Sequence, residues 1–284
     1  MPYYTSEECT LRNWILMLLS VFLSSTGASA ASAQVTLWRL DCGTINVDDL
    51  NMYSDTYAYI GQSKVLTASC YLIKHGETYM LWDTGLTADD FGLPLKGKSS
   101  TGETLSITLV EQLAKIGISP AAIRLIGISH YHDDHTGQAA AFPQAQLLIG
   151  QGDLDALRKP GNPFAKPLEH WISGDGLVEG VRGDKDVFGD GTVVMLDLPG
   201  HTLGHHGLLV KLAHTGYVLL SGDVAHFRDN YVANGVPSFN TDRSQSLASL
   251  ARFKDIARNL HATVVIQHEP RDIAKLPIFP ASAQ

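Results

Sequence analysis

The sequence predicts an α/β fold in one domain over residues 34–284, and three observations carry that prediction. Strand-length apolar runs, rich in β-branched and aromatic residues, recur from residue 37 to residue 266. Between them lie segments whose apolar residues repeat at helical spacing. No Pro/Gly/Ser linker and no short-period repeat divides the stretch.

The elements follow in order. Leu37–Cys42, Tyr57–Gly61, Leu66–Lys74 and Thr78–Trp82 read as strands. Ile107, Leu109, Val110, Leu113 and Ile116 predict a helix over Ser106–Ile116. Ile123–Ile128 and Gln146–Ile149 are short apolar strands, and a helix is expected over Gly152–Arg158. Residues 160–185, rich in Gly and Pro, read as a long loop. Further strands are expected at Thr192–Leu198, Gly207–Lys211 and Tyr217–Ser221. Asp242 precedes Leu247, Leu250, Ala251 and Ala257, which is the pattern of a capped amphipathic helix. Ala262–Ile266 is the last strand. Each half of the chain thus combines strands with a helix.

Residues 14–23 (WILMLLSVFL) are apolar but fall short of the roughly 20 residues of a membrane span. Ala28-Ser29-Ala30 and Ala31-Ser32-Ala33 fit a small-residue cleavage signal. Residues 1–33 therefore read as a signal peptide, which implies a periplasmic or secreted domain without stable membrane insertion. Glu7 and Glu8 against a single Arg12 depart from the usual positive leader, so a retained anchor is the alternative. Cys42 and Cys70 each sit in a strand-like apolar stretch and read as two buried free thiols; an oxidising compartment would also allow them to pair. With 21 basic and 29 acidic residues, a formal charge of −8 argues against a nucleic-acid backbone as the main partner.

The chemistry lies after the Ile123–Ile128 strand, in Ser129-His130-Tyr131-His132-Asp133-Asp134-His135-Thr136-Gly137. On extended backbone, residues two apart point the same way, so His130 and His132 can bind one metal ion. The turn that follows lets Asp134 and His135 face a second ion. Imidazole plus carboxylate suits zinc and other divalent first-row ions. Later apolar runs each end in a candidate ligand: His201 in Pro199-Gly200-His201-Thr202-Leu203-Gly204-His205, Asp223 in Ser221-Gly222-Asp223, and His268 in Gln267-His268-Glu269. A metal site built from loops at one sheet edge needs that arrangement.

In order and context, His130, His132, Asp134, His135, His201, Asp223 and His268 resemble the metallo-β-lactamase superfamily signature. The resemblance covers residues 35–275 and implies an αβ/βα sandwich with a dinuclear metal site at one edge. It implies two divalent ions, zinc being the expected metal. His130, His132 and His201 would hold one ion, Asp134, His135 and His268 the other, with Asp223 bridging. Asp83, in Trp82-Asp83-Thr84-Gly85, matches an aspartate that supports the site without binding metal; a plain turn residue is an equal alternative.

Fold alone does not give substrate. The oxygen-reducing di-iron members of the superfamily have Glu where this chain has His132. Glyoxalase II enzymes continue into a helical domain, whereas 16 residues follow His268 here. True β-lactamases of the class lack the bridging aspartate. The Leu37–Gly43 opening, the Trp82–Gly85 segment, both histidine runs and the 22-residue spacing from His201 to Asp223 are most similar to the N-acyl homoserine lactone lactonases. The resemblance implies attack of a metal-bridging hydroxide on the lactone carbonyl, the reaction used in quorum quenching, with an acyl lactone as small-molecule partner and a homodimer as the assembly to test. Another lactone, an ester or a β-lactam is the alternative substrate. Asp134 would carry a proton to the leaving alkoxide. The lactonases usually carry Tyr three residues after the bridging Asp; here it is His226, whose N–H could donate the same hydrogen bond. Met52, Tyr53, Tyr57, Phe164 and Trp171 are candidates for an acyl-chain groove. His205, His206 and Glu269 are candidates to orient ligands. His75, His170, His214 and His261 show no motif and read as structural or surface positions.

Overall fold

The computed structural model describes residues 34–93, 95 and 102–284; the signal peptide expected over 1–33 lies outside the described residues. Seven strands form a mixed sheet: β1 (Val35–Val47), β2 (Lys64–His75), β3 (Thr78–Trp82), β4 (Gly102–Thr104), β5 (Ile123–Ile128), β6 (Gln146–Gly150) and β7 (Val178–Val181). Their spatial order is β4-β1-β2-β3-β5-β6-β7. A second sheet of five strands runs β12-β11-β10-β9-β8, from β8 (Lys185–Asp186), β9 (Val193–Asp197), β10 (His206–Leu212), β11 (Gly216–Leu220) and β12 (Thr263–Val265).

Alternation along the strands decides the layers. One set of inward side chains, including Leu37, Tyr71, Ile73, Met80 and Trp82, meets Met195, Leu208, Val210, Val218 and Leu220 of the other sheet in a buried core. The opposite face of the first sheet, with Leu40, Leu72, Ile126 and Leu147, is covered by the helices α1 (Leu109–Lys115), α3 (Gln151–Leu157) and α4 (Glu169–Ile172). The opposite face of the second sheet carries Leu196, Leu198 and Leu219 and packs on Leu250, Phe253 and Ala257 of α6 (Arg243–Leu260). Helix, sheet, sheet, helix is the αβ/βα sandwich the sequence led us to expect. Two short helices, α2 (Asp133–Thr136) and α5 (Arg228–Ala233), follow the strand ends of the site.

Local chemistry accounts for the helix starts. Thr108 and Glu111 form a reciprocal capping box at α1. Asp242 caps α6 by accepting the Gln245 N–H at 2.9 Å.

Three expectations need correction. Tyr57–Gly61 is a turn, not a strand: Tyr57 has φ +58° and Gly61 φ +71°, so aromatic and β-branched composition misleads there. The loop over 160–185 contains α4 and β7. Cys42 and Cys70 are not free thiols but form a disulfide, with Cα atoms 5.7 Å apart. Strands β1 and β2 pair antiparallel, and the register shifts between Asp41 and Thr44. Leu40 pairs with Cys70, and Cys42, two residues on, lies on the same buried face.

Candidate metal centre

The site stands where strands of both sheets end. The backbone after β5 is extended through His132 and then turns into α2. Nε2 of His130 and Nδ1 of His132 come within 2.9 Å. Nε2 of His201, from the loop after β9, lies 3.1 Å from the first and 3.0 Å from the second. Oδ2 of Asp223, just after β11, lies 3.4 Å from His201 Nε2 and 3.7 Å from His130 Nε2. A second group forms beside it. Oδ2 of Asp134 lies 3.6 Å from His135 Nε2 and 3.5 Å from His268 Nε2. The other oxygen of Asp223, Oδ1, faces this group, 3.0 Å from His268 and 3.4 Å from His135. Within each group the donor atoms lie within 4.8 Å of one another. One carboxylate thus offers an oxygen to each group.

The donors fit metal ions. His135 Nε2 and Asp223 Oδ1 are buried without a hydrogen-bond partner, which is costly unless a cation satisfies them. Nitrogen and carboxylate oxygen donors suit zinc and other divalent first-row ions.

Behind the donors, a layer of hydrogen bonds fixes the rings. His135 Nδ1 lies 2.9 Å from Asp83 Oδ2, and Asp83 accepts from the Ser129 N–H at 2.7 Å and its hydroxyl at 2.9 Å. Asp83 is fully buried with φ +57°, so it is an orienting group and not a plain turn residue. His201 Nδ1 meets Asn240 Oδ1 at 2.9 Å, and His268 Nδ1 meets the Thr67 carbonyl at 2.9 Å. Each bond places the proton on Nδ1 and leaves the Nε2 lone pair for a ligand. Gly200, at φ +134°, lets the loop pass so close to Ser246 that a Cβ would collide with its backbone.

His205 orients Asp223 by accepting its backbone N–H at 2.8 Å. His206 and Glu269 do not touch a ligand ring. His206 nitrogens face the Gly204 and Gly183 carbonyls at 2.7 and 3.2 Å. Glu269 binds the Arg271 guanidinium and the Arg228 N–H. His75 pairs with Asp190 and stacks on Phe188, and His261 ends α6 at φ +51°.

Electrostatics divide the two groups. Burial holds His130 and His201 neutral, well below the usual imidazole range, and neighbouring imidazoles add to the effect. Burial also disfavours charge on His135, but Asp134, Asp223 and Asp83 outweigh it and raise its pKa. Burial would raise Asp223, yet His226, His268 and His135 hold it well below the usual carboxylate range.

The expected substrate residues separate. His226 is buried at the cluster, with Nε2 3.0 Å from Asp223 Oδ2. Tyr53 lies edge-on to His226, with ring centroids 4.8 Å apart, and also contacts Phe239. Phe164 lies against Tyr131 and His132 on the other side. Met52 is exposed beside Tyr53. Tyr57 is 73% exposed, and among the described residues no ring contact joins it to the cluster. Trp171 corrects the expected groove: it is 1% exposed, packed in the helix-covered core, with its indole N–H on the Ala145 carbonyl. Phe239 and Asn240 were not readable from sequence, because no motif marks them.

Comparison with known proteins agrees with this geometry. Residues 64–268 match the model of the Metallo-beta-lactamase superfamily. The chain is similar to the N-acyl homoserine lactonase AttM of Rhizobium radiobacter, 30% identical over 171 residues, 57% of this chain and 64% of the relative. It is also similar to an N-acyl homoserine lactonase of Bacillus sp, 26% identical over 227 residues, 78% of this chain and 88% of that one. The match thus spans under two thirds of AttM's length. Among solved structures, a quorum-quenching N-acyl homoserine lactone hydrolase has a TM-score of 0.75 at 23% identity, covering 89% of this chain and 99% of that one. A dizinc quorum-quenching lactonase, AidC, in complex with its N-hexanoyl-L-homoserine product, has a TM-score of 0.65 at 18% identity, covering 89% of this chain and 90% of that one. These two share the sandwich fold.

Proposed function

This chain belongs to the metallo-beta-lactamase superfamily, and from that premise we propose that it opens the lactone ring of N-acyl homoserine lactones as a two-metal hydrolase, with zinc as the metal. The observation that carries the reading is Asp223, whose two oxygens face two separate donor groups beside an aromatic rim. The lactonase names of the relatives support the substrate class.

When bound, two divalent ions would supply Lewis acidity and bring the ionisation of a shared water near neutral pH. The chain's own residues do the rest. His130, His132 and His201 would hold one ion and Asp134, His135 and His268 the other, with Asp223 offering an oxygen to each. Tyr53 and Phe239 on one side and Phe164 on the other flank the acyl chain and exclude water from it. His226 donates an imidazole N–H to the lactone carbonyl oxygen as negative charge develops there. One water is added, the acyl C–O bond breaks, and the alkoxide leaves. Asp134, whose side chain is 18% exposed, carries the water's proton to that alkoxide, giving an N-acyl homoserine. We also read residues 1–33 as a cleaved signal peptide of a periplasmic or secreted enzyme. The Cys42–Cys70 disulfide supports export, because such bonds persist in oxidising compartments.

His226, where the lactonases have Tyr, favours a second reading: hydrolysis of another lactone, an ester or a β-lactam. The test is turnover of a panel by metal-loaded protein, followed by proton release near pH 8. The panel holds short- and long-chain acyl homoserine lactones, simple lactones, aryl esters and a β-lactam. We expect acyl homoserine lactones to open fastest, with loss of activity on chelation and in Asp223→Ala. Activity confined to esters or β-lactams selects the second reading, and full activity in Asp223→Ala sinks the bridging role.

A further inference from the structure

We propose that Asp153 is a positioning residue whose carboxylate fixes the loop that supplies His201 to the first donor group; the inference rests on the two-metal reading above. Asp153 stands in α3, away from the donor cluster in sequence, and is fully buried. Its Oδ1 accepts the Gly204 N–H at 2.7 Å and its Oδ2 accepts the Thr202 hydroxyl at 2.8 Å. Thr202 follows His201 directly, and Gly204 is two residues further on. One carboxylate therefore grips the His201 loop at two points, and neither bond involves the second group.

Two further observations make this more than a local helix contact. Asp153 reaches 49 and 51 residues along the chain for its hydroxyl and Gly204 donors. Among the described residues it has no lysine or arginine partner, so a buried carboxylate is kept without a cation. Burial raises its pKa to about 7, and the hydrogen bonds from Thr202 and Gly204 are what favour the ionised form. The loop is also seated directly on the helix start. A Cβ on Gly150 would collide with the Gly204 carbonyl, and one on Gly204 with the Asp153 backbone N. The His201 loop thus has little freedom to settle elsewhere, and the hydrogen bonds of Asp153 define where it stops.

The test is a cobalt(II) titration of the metal-free full chain, read by bound stoichiometry, stepwise affinity and the visible d–d spectrum. His201→Ala identifies which step belongs to the first group. In wild type we expect two steps. In Asp153→Asn we expect the first-group step to weaken at least tenfold and its spectrum to change, while the second-group step keeps wild-type affinity. Thermal unfolding of the metal-free chain runs alongside. A merely structural role would lower the unfolding midpoint and leave both steps alike or weaken them equally; either result overturns the proposal. If Asp153→Asn does not fold, Thr202→Val decides. It removes one donor and leaves the carboxylate, so a smaller weakening confined to the first-group step is expected, and an unchanged titration overturns the proposal. A wild-type chain that binds no cobalt overturns the two-metal reading and this inference with it, whereas two wild-type steps with an unaffected Asp153→Asn overturn this inference alone.

Discussion

At the scale of single residues, His205 shows how a buried side chain can be held in one protonation state. Its Nδ1–H donates to the Leu198 carbonyl at 2.9 Å, and its Nε2 accepts the Asp223 N–H at 2.8 Å. Burial is the main reason its pKa falls to about 3, and the neighbouring Asp223 carboxylate only partly opposes it. In the unfolded chain the ring titrates near 6.5. Below that pH the unfolded state binds a proton that the folded state refuses. The stabilising contribution is therefore complete above about pH 6.5 and is lost as pH falls towards 3. Between pH 6.5 and 5 the loss should reach about 2 kcal/mol. Urea unfolding of wild type and His205→Gln across this range, with chelator present so that metal release plays no part, measures it. We expect the wild type to have the steeper pH dependence; parallel curves would remove this account. At this scale the sequence is an uneven guide. The seven donors are legible because each stands just past an apolar run, where a strand end can present it. Asn240 is not, because it lies 39 positions from His201 and carries no motif of its own. Asp153 is hidden in the same way: only folding brings its carboxylate to Thr202 and Gly204.

At the scale of elements, long apolar runs are the readable part. Strands β3 and β5 have the predicted bounds because each is a short run of strand-forming residues in the interior of the first sheet. The turn over Tyr57–Gly61 is misread because its side chains have strand-like composition, while two positive φ values decide its backbone. The disulfide escapes sequence reasoning for a related cause: it depends on the register that pairs Leu40 with Cys70, which has no compositional mark. Its position suggests what it supports. Gly85 packs so close to Cys42 that a Cβ there would collide with it, and the Leu86 N–H donates to the Cys42 carbonyl at 3.1 Å. That loop begins at Asp83, which orients His135. With a sequence separation of 28 between the cysteines, chain-entropy arguments assign the cross-link roughly 3–4 kcal/mol. The Cys42→Ser/Cys70→Ser double variant should lose about that much in denaturant unfolding, with an unchanged slope against denaturant if the unfolded state stays equally open. A loss below about 1 kcal/mol would mean that strand pairing alone holds this loop.

At the scale of the whole molecule, the donors come from both halves of the sandwich. His130, His132, Asp134 and His135 follow β5 of the first sheet, while His201, Asp223 and His268 follow β9, β11 and β12 of the second. Metal in either group therefore joins the two sheets at their shared edge and binds only when both are in place. An unfolded chain retains the histidine-rich run but loses the long-range partners, so its metal affinity is much lower. By mass action, free metal at about 100 times Kd stabilises by about 2.7 kcal/mol per site, or roughly 5 kcal/mol for two. Dialysis against chelator should therefore lower the unfolding midpoint, and added metal should raise it in proportion to the logarithm of its free concentration. His201→Ala should keep about half of this response and Asp223→Ala should keep least, because Asp223 contributes an oxygen to each group. A midpoint that ignores metal in the wild type would mean that the two groups do not bind ions at the sheet edge. A response equally large in Asp223→Ala would mean that each ion is held independently, and the shared carboxylate would then lose its place at the centre of the mechanism.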